Sequence, residues 1–399
     1  MEENKETKQE FDFSKFTLPE KKENKENKKG MAWWKHLLLF IITLVATTFA
    51  GLEWLYGKSV IFTPISPEEW WGALSYSVPF LGILTVHEFG HYFTAKYHKL
   101  KVTLPYYLPV WFFSIAPSIG TFGAFIKIKS MIKSRNAFFD VGVSGPLAGF
   151  VAALFVLFYG FTHLPPQEYI FQIHPEYQEY GLDYANHVYD NLGEGEDMMF
   201  GTNLLFEFFK HYVAPDPSLV PNPHEMMHYP YLFAGFLACF FTALNLLPFG
   251  QLDGGHALYS IIGYKRFHQL LPFTFAAFLY WGGLGLFSAN DSHEYLLTYA
   301  PLYVFYLYFV SMQLFKDKIT IALYAMGIFT AQFVTVTFIP TATGYTGWLF
   351  FGVILSKFVG LHHPPALYKK GVDTKRKIVG IITLIVFILC FTPTPFILN

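Results

Sequence analysis

Long apolar stretches recur along almost the whole chain and limit what it can fold into. A helix needs about 20 mostly apolar residues to cross a bilayer, and about nine stretches approach that length. They lie near residues 36–57, 71–96, 138–163, 230–258, 267–287, 298–315, 319–340, 345–360 and 378–397. Hydrophobic residues make up 53% of the chain and charged residues only 14%, which is far less charge than a soluble domain carries. We therefore predict an all-α polytopic membrane protein with about nine transmembrane helices.

Basic residues are concentrated in alternate connections, and this pattern predicts an orientation. Cytoplasmic loops carry an excess of Lys and Arg. The basic connections contain Lys96, Lys99, Lys101, Lys127, Lys129, Lys133 and Arg135, then Lys265 and Arg266, then Lys316 and Lys318, then Lys369, Lys370, Lys375, Arg376 and Lys377. The other connections are neutral or acidic, above all the outer loop 163–229. We expect a cytoplasmic N-terminus, and the cytoplasmic membrane of a bacterium as the location.

The pentapeptide His87-Glu88-Phe89-Gly90-His91 lies inside the second apolar stretch. Ionisable side chains are costly in hydrocarbon, so their presence in a spanning helix indicates function. On a helix, His87 and His91 at positions i and i+4 project from one face and can bind one metal ion, with Glu88 beside it as a general base. Only Cys239 and Cys390 are present, each in an apolar run, so the ligands have to be His, Asp or Glu. The motif predicts a zinc hydrolase that works inside the membrane.

A third ligand is predicted at Asp253, near the cytoplasmic end of the fourth apolar stretch. His91 lies near the cytoplasmic end of the second stretch, so the two can meet at one depth. Pro248 and Gly250 interrupt the helix just before Asp253. The resulting bend in the backbone can orient the Asp253 side chain toward a metal ion. Two histidines and a carboxylate with an open position for water form a catalytic zinc arrangement.

The connection 104–140 is cytoplasmic by charge but largely apolar, which predicts a hairpin that dips into the membrane beside the site. The alternation Ala124-Phe-Ile-Lys-Ile-Lys is typical of a strand. An extended edge there could pair with an unwound substrate by strand addition. The alternative is an amphipathic hairpin that lies at the membrane surface.

Together, the His87–His91 motif, the segment Ser144-Gly-Pro-Leu-Ala-Gly149 and the segment 245–256 resemble the site-2 protease family of intramembrane zinc metalloproteases. The resemblance covers roughly residues 81–260. It implies one Zn²⁺ per chain bound by His87, His91 and Asp253, with Glu88 activating water and Asn245 polarising the scissile carbonyl. It also implies regulated intramembrane proteolysis of membrane-spanning protein substrates near the cytoplasmic side. The outer loop looks too short for the PDZ domain that some members carry.

Four segments are predicted on this basis. Residues 1–30 form a disordered cytoplasmic tail, since they are rich in Glu, Lys and Asn. Residues 31–70 form a retained anchor helix and an outer loop, residues 71–260 the catalytic membrane core, and residues 261–399 accessory transmembrane helices. The formal net charge of −1 gives no reason to expect nucleic acid as a partner, and a homo-oligomer is left open.

Several polar residues have alternatives to a catalytic role. Asp253 could only cap a helix, Asn245 could only bond a backbone carbonyl, and His256 is an alternative ligand or a neighbour of the ligands. A second His-Glu-x-x-His, at 224–228, is expected to lack the necessary helix because prolines flank it. His362-His363-Pro364-Pro365 is expected to be a cytoplasmic turn. A zinc carrier, or an inactive member that binds membrane proteins, is the rival function.

Overall fold

The structure is a computed structural model that describes residues 33–189, 198–368 and 370–398. The predicted tail 1–30 lies outside the described residues. The described α-helices are α1 (Trp33–Tyr56), α2 (Pro67–Tyr97), α3 (Arg135–Thr162), α4 (Leu204–Tyr212), α5 (Pro230–Leu246), α6 (Asp253–Ile262), α7 (Tyr264–Gly283), α8 (His293–Ser311), α9 (Lys318–Phe338), α10 (Gly347–Val353) and α11 (Thr374–Cys390). The described strands are β1 (Tyr106–Val110), β2 (Gly120–Phe125), β3 (Met198–Phe200) and β4 (Phe396–Leu398).

The fold is mostly helical, as predicted. Fewer of the described helices than expected are both long enough and apolar enough to span a membrane. Three described helices are long and apolar enough to cross a bilayer by length and composition, namely α1, α3 and α9. Helix α5 and the segment 347–359 are apolar but shorter. The prediction of about nine spans therefore stays a prediction.

The helices α2, α3 and α5 pack together and form the centre of the fold. Their contact is largely aromatic and aliphatic, and Tyr76, Phe80 and Phe233 are fully buried within it. Tyr76 stacks between the other two rings, with centroid distances of 5.6 Å to Phe80 and 5.0 Å to Phe233. Helix α11 packs on α3, α5 and α6, so the helix bundle extends beyond the predicted core 71–260.

The fourth apolar stretch is broken into two helices, as Pro248 and Gly250 predict. Helix α5 ends at Leu246, and α6 starts at Asp253. Gly250 has a φ of +47° and lies against the Gly360 carbonyl, where a Cβ atom would be 1.7 Å from the oxygen. A residue with a side chain fits neither this backbone conformation nor this space. The bend therefore requires glycine at position 250.

A β-hairpin follows α2, but its second strand lies earlier than predicted. The sequence predicts a strand at 124–129, whereas β2 covers Gly120–Phe125 and pairs antiparallel with β1. Only an isolated bridge between Val102 and Ile128 continues the pairing. At the start of β2, Gly120 lies directly on the backbone of Thr47 in α1.

Side-chain hydrogen bonds fix the hairpin to the first two helices. His36 Nδ1 donates to the Pro105 carbonyl at 2.9 Å, and Trp54 Nε1 donates to the Ser118 carbonyl at 2.7 Å. The hydroxyls of Tyr107 and Thr85 lie 2.8 Å apart. Because Thr85 lies just before His87 on α2, the hairpin is held beside the motif.

Aspartate 140, in the first turns of α3, joins three helices on the side of the basic connections. Its carboxylate accepts from Arg376 of α11 at 2.7 and 2.6 Å in a bidentate pair. His98, which follows α2, lies 2.8 Å from the same carboxylate. Bidentate Arg–carboxylate pairs are among the strong polar contacts of proteins, so α2, α3 and α11 have a fixed relative position here.

The opposite face carries a second, unpredicted sheet. Strand β3 of the outer loop pairs antiparallel with β4, which follows α11. The rings of Phe200 and Phe396 lie 5.6 Å apart across this pair. The segment after α11 therefore lies on the same face of the core as the outer loop.

The hairpin provides a matched test of its docking on α1. Gly120 and Gly123 both have positive φ, +85° and +98°, but a Cβ at Gly120 would be 2.2 Å from the Thr47 Cα whereas one at Gly123 meets nothing within 4 Å. Alanine at either position adds about 1–2 kcal/mol of backbone strain. We expect Gly120→Ala to destabilise the protein by a further ~1–3 kcal/mol. Thermal unfolding in detergent measures the difference, and equal melting temperatures for the two variants would contradict the docking.

Candidate metal centre

Helix α2 presents His87 and His91 on one face, one turn apart. Both side chains are buried, and their Nε2 atoms are 3.0 Å apart. No residue between them interrupts the helix, which continues to Tyr97. The i, i+4 spacing therefore directs both imidazoles to one point, as the sequence predicts.

Asp253 is the first residue of α6, and the bend after α5 brings it to the two histidines. Its Oδ2 atom lies 3.5 Å from His87 Nε2 and 3.3 Å from His91 Nε2. These three side chains form a compact group whose ligand atoms all lie within 4.8 Å of one another. The structure thus brings together His87, His91 and Asp253, which come from two helices far apart in sequence.

Hydrogen bonding determines which nitrogen of His91 carries the proton. Its Nδ1 atom is 2.6 Å from the Val141 carbonyl of α3, and a carbonyl only accepts. Nδ1 is therefore the donor, and in the neutral ring Nε2 presents a lone pair to His87 and Asp253. A backbone acceptor on the far nitrogen is the usual way in which proteins orient a metal-binding imidazole.

Glu88 lies beside this group rather than within it. Its Oε1 atom is 3.9 Å from His87 Nε2, and the side chain is buried. The carboxylate also faces the backbone amide of Ile126, just after β2. This position leaves the carboxylate of Glu88 available for proton transfer next to the His–His–Asp group.

Glycines of α3 allow its backbone to reach the histidine rings. A Cβ added at Gly145 would be 2.1 Å from His91 Nε2, and one at Gly149 would be 3.1 Å from His87 Cβ. On α2, a Cβ at Gly90 would be 2.6 Å from the Ser144 carbonyl. The sequence predicts close helix packing at Gly145 and Gly149, and the structure identifies the histidine rings as what lies against them.

His256 lies one turn after Asp253 on α6 and bonds to a residue that the sequence did not single out as functional. Its Nδ1 atom is 2.7 Å from His363 Nε2, and His363 Nδ1 is 2.7 Å from the Pro364 carbonyl. That carbonyl fixes His363 as its donor, so His363 Nε2 accepts from His256. His363 is 2% exposed, and its ring stacks on Tyr259. The predicted turn at 362–365 is therefore packed against the helix that carries Asp253.

Asn245 is in the last turn of α5, just before the bend. Its side chain is half-buried and makes no hydrogen bond within the described part of the chain. The neighbouring carbonyls of Leu246 and Leu247 lie against Gly254, which follows Asp253. The end of α5 is therefore packed directly on the start of α6.

The donor set fits zinc. Two imidazole nitrogens and one carboxylate oxygen are the ligands that catalytic zinc takes from proteins, with a further position left for water. Hard cations such as Mg²⁺ and Ca²⁺ prefer sites made of oxygen atoms. The buried setting and the oriented His91 ring are both features that metal centres use.

Comparison with known proteins supports the same assignment. The family model of Peptidase family M50 matches residues 75–290. Probable zinc metalloprotease EGY1, chloroplastic, from Arabidopsis thaliana is 29% identical over 191 residues, which are 48% of this chain and 29% of that protein. Probable zinc metalloprotease EGY2, chloroplastic, from Oryza sativa subsp. indica is 30% identical over 183 residues, 46% of this chain and 28% of that protein. No solved structure matches the chain.

The matched region contains α3, α5, α6 and most of α2, and it includes the whole histidine–aspartate group. The chain belongs to Peptidase family M50, the site-2 protease family. The match covers less than a third of the length of the curated relatives, 29% and 28% of the two named above.

The contact between Gly145 and His91 gives a direct test of the site. Gly145→Ala places a methyl group in the space of the His91 ring, and we expect zinc affinity to fall by about 10–100-fold. The matched control is Gly82→Ala on α2, where a Cβ meets nothing within 4 Å. Bound zinc, titrated against a competing chelator, measures the effect. Equal zinc affinity in the two variants would show that α3 does not hold the His91 ring in place.

Proposed function

We propose that this chain is an intramembrane zinc metalloprotease that hydrolyses peptide bonds of membrane-spanning protein substrates near the cytoplasmic side. The observation that carries the proposal is the meeting of His87, His91 and Asp253, with Glu88 buried beside them. Membership of a peptidase family and the names of the zinc metalloprotease relatives support it. A zinc carrier would not need a carboxylate placed beside the ligands, so Glu88 favours the protease over the carrier.

The three ligands and their supports have distinct roles in this proposal. His87, His91 and Asp253 would hold the zinc, which would supply a Lewis acid that acidifies water and polarises a carbonyl. The Val141 carbonyl keeps His91 in the tautomer that leaves Nε2 unprotonated. The glycines of α3 keep the backbone close and exclude bulk water from that side of the rings.

Glu88 is the proposed general base and acid. Its carboxylate takes a proton from the attacking water and later transfers it to the nitrogen of the leaving amine. The Ile126 amide, which faces this carboxylate, would help to orient it. The side-chain amide of Asn245 forms no hydrogen bond with the residues that the structure describes, and we assign it to the oxyanion that develops on the scissile carbonyl.

The hairpin provides a surface for an unwound substrate. A helical substrate has its carbonyls engaged in hydrogen bonds, so it must unwind before cleavage. Strand β2 pairs only with β1 among the described strands, and Ile126 beyond its end faces Glu88. A substrate segment that adds to this sheet would lie extended next to the proposed base.

Orientation and location rest on the sequence pattern. The basic connections predict that the His–His–Asp end of α2 faces the cytoplasm. Both relatives named above are described as chloroplastic, so the bacterial cytoplasmic membrane stays a prediction for this chain. The bilayer is part of the proposed environment, and self-association and the number of spans are also left as predictions.

Substitution of the proposed base tests the protease activity. We expect Glu88→Gln to reduce cleavage of single-span membrane peptides by about 10²–10⁴-fold, because proton transfer is lost. Bound zinc should match that of the parent chain, since Glu88 is not a ligand. Glu68→Gln, an exposed carboxylate on the same helix, is the control. Equal cleavage by Glu88→Gln and Glu68→Gln would exclude Glu88 as the base.

Substrate topology tests the predicted side of cleavage. Two single-span peptides of the same composition are prepared, one with a Gly-Pro pair near its cytoplasmic end and one with the pair near the opposite end. We expect cleavage of the first in vesicles, because only there does unwinding expose a carbonyl at the depth of His91 and Asp253. Mass spectrometry of the products locates the cut, and preferential cleavage of the second peptide would reverse the assigned side.

Asn245 can be tested separately from the metal ligands. We expect Asn245→Ala to lower kcat by about 10²–10³-fold with little change in KM or bound zinc, as for other oxyanion donors. Thr242→Val, which replaces a hydroxyl by a methyl group in the preceding turn of α5, is the control. A kcat for Asn245→Ala equal to that of this control would leave the side chain with a structural role only.

A further inference from the structure

A second group of potential metal ligands lies at the other end of α5. His174, Glu225 and His228 place one ligand atom each within 4.8 Å of one another. His228 Nε2 is 3.2 Å from Glu225 Oε2 and 3.3 Å from His174 Nε2, and the remaining pair is 3.8 Å apart. Helix α5 is about 25 Å long from its residue count, so this group is well separated from Asp253.

This group lies in the second His-Glu-x-x-His segment, at 224–228. As the flanking prolines predict, the segment is not an α-helix, since a short 3₁₀ turn covers Met226–His228 and α5 starts at Pro230. The two histidines of the motif therefore do not point to the same place. The ring of His224 stacks on Tyr189 at 3.9 Å, while a histidine from the outer loop, His174, takes the third position.

The hydrogen bonds on the far side of each ring determine where the protons are. His228 Nδ1 is 2.6 Å from the Leu55 carbonyl, and His174 Nδ1 is 2.9 Å from Glu176 Oε1. A carbonyl and an ionised carboxylate only accept, so both Nδ1 atoms donate. In neutral imidazoles both Nε2 atoms then present lone pairs to each other. This is the same arrangement as that of His91 in the first site.

The Glu225 carboxylate places an oxygen atom close to the Nε2 atoms of His174 and His228. The side chain is only 3% exposed, and the ion pairs recorded for it in the described structure are with histidines. Its Oε1 atom accepts from the Tyr189 hydroxyl at 2.5 Å, which leaves Oε2 directed at the two Nε2 atoms. Three lone pairs that converge at a largely buried point repel one another unless a positive charge, carried by a metal ion or by a proton on one imidazole, lies among them.

We propose that His174, Glu225 and His228 form a second zinc site, in addition to the single zinc expected at the first one. Two imidazole nitrogens and a carboxylate oxygen favour zinc over calcium or magnesium. A cavity of about 290 Å³ adjoins the three side chains and gives room for water as a further ligand. Bonds from Leu55, Glu176 and Tyr189 orient the ligands, as is usual around protein metal sites.

The site joins three parts of the outer face. His174 belongs to the outer loop, between the 3₁₀ turns Gln167–Gln172 and Pro175–Glu179. Glu225 and His228 immediately precede α5, and His228 is bonded to the end of α1 through Leu55. Zinc at this point would fix the outer loop to α1 and to the start of α5. The role is structural, and it does not depend on the proposed protease activity.

Zinc stoichiometry separates the two sites. The full-length protein is purified in detergent, stripped with a chelator, reloaded with Zn²⁺ and analysed by inductively coupled plasma mass spectrometry. We expect about two zinc ions in the parent chain, about one in His91→Ala, about one in His174→Gln, and almost none in the double variant. His211→Gln, an exposed histidine of α4, is the control and should match the parent. Monodisperse gel filtration confirms the fold of each variant.

The single variant His91→Ala gives the most direct measurement, because it leaves the outer ligands intact. Removal of its remaining zinc should lower its melting temperature by several degrees, whereas the double variant should not respond to a chelator. If His91→Ala holds no zinc while His174→Gln and the parent hold equal amounts, the outer site does not exist and the first site is unaffected. If His174→Gln binds no zinc while His91→Ala binds as much as the parent, zinc binds at the outer site and not at the first one.

Discussion

The close approach of α2 and α3 is the constraint on which the candidate active site depends. Gly145 and Gly149 let the backbone of α3 lie directly on the rings of His87 and His91, and the Val141 carbonyl fixes the His91 tautomer. In a bilayer, small residues are what allow helices to approach so closely. The same contact therefore serves the packing of the helices, the orientation of the ligands and the removal of water from them. A side chain at Gly145 would disturb all three at once.

The bend between α5 and α6 supplies the other half of the site. In a continuous helix through 230–258, the helical register alone would set the direction of Asp253. The break at Pro248 and Gly250 instead lets α6 start at Asp253, the candidate ligand. Gly250 fits there because the backbone has positive φ and lies against Gly360. The segment around Gly360 and His363 thus supports the bend from the far part of the chain. Of the helices after residue 260, α11 packs on α3, α5 and α6, and α7 packs on α6.

Local signals predicted the helix of the His87–His91 motif, the interruption before Asp253 and the absence of a helix at 224–228, because spacing, proline and glycine act over a few residues. Contacts between distant segments were not predictable in the same way. His363 bonds to His256 and His174 meets His228 only because the tertiary fold brings them together, and neither pair has a sequence motif. Strand β2 covers Gly120–Phe125 rather than 124–129, and its contact with Thr47 of α1 has no counterpart in the local alternation of residues. About nine membrane spans were predicted from apolar stretches, but among the described helices only α1, α3 and α9 combine the length and the apolar composition of a span.

The pairing of β3 with β4 has a consequence for biosynthesis. Strand β3 emerges from the ribosome well before β4, since Met198–Phe200 and Phe396–Leu398 are separated by α4 to α11. At translation rates of about 5–20 residues per second, the outer loop waits roughly tens of seconds for its partner strand. During that interval β3 lacks its β4 partner, while α5 and α6, the helix that carries Asp253, are synthesised. Closure of the outer face is therefore a late event in the assembly of this chain, and it follows synthesis of the helices that build the metal centre.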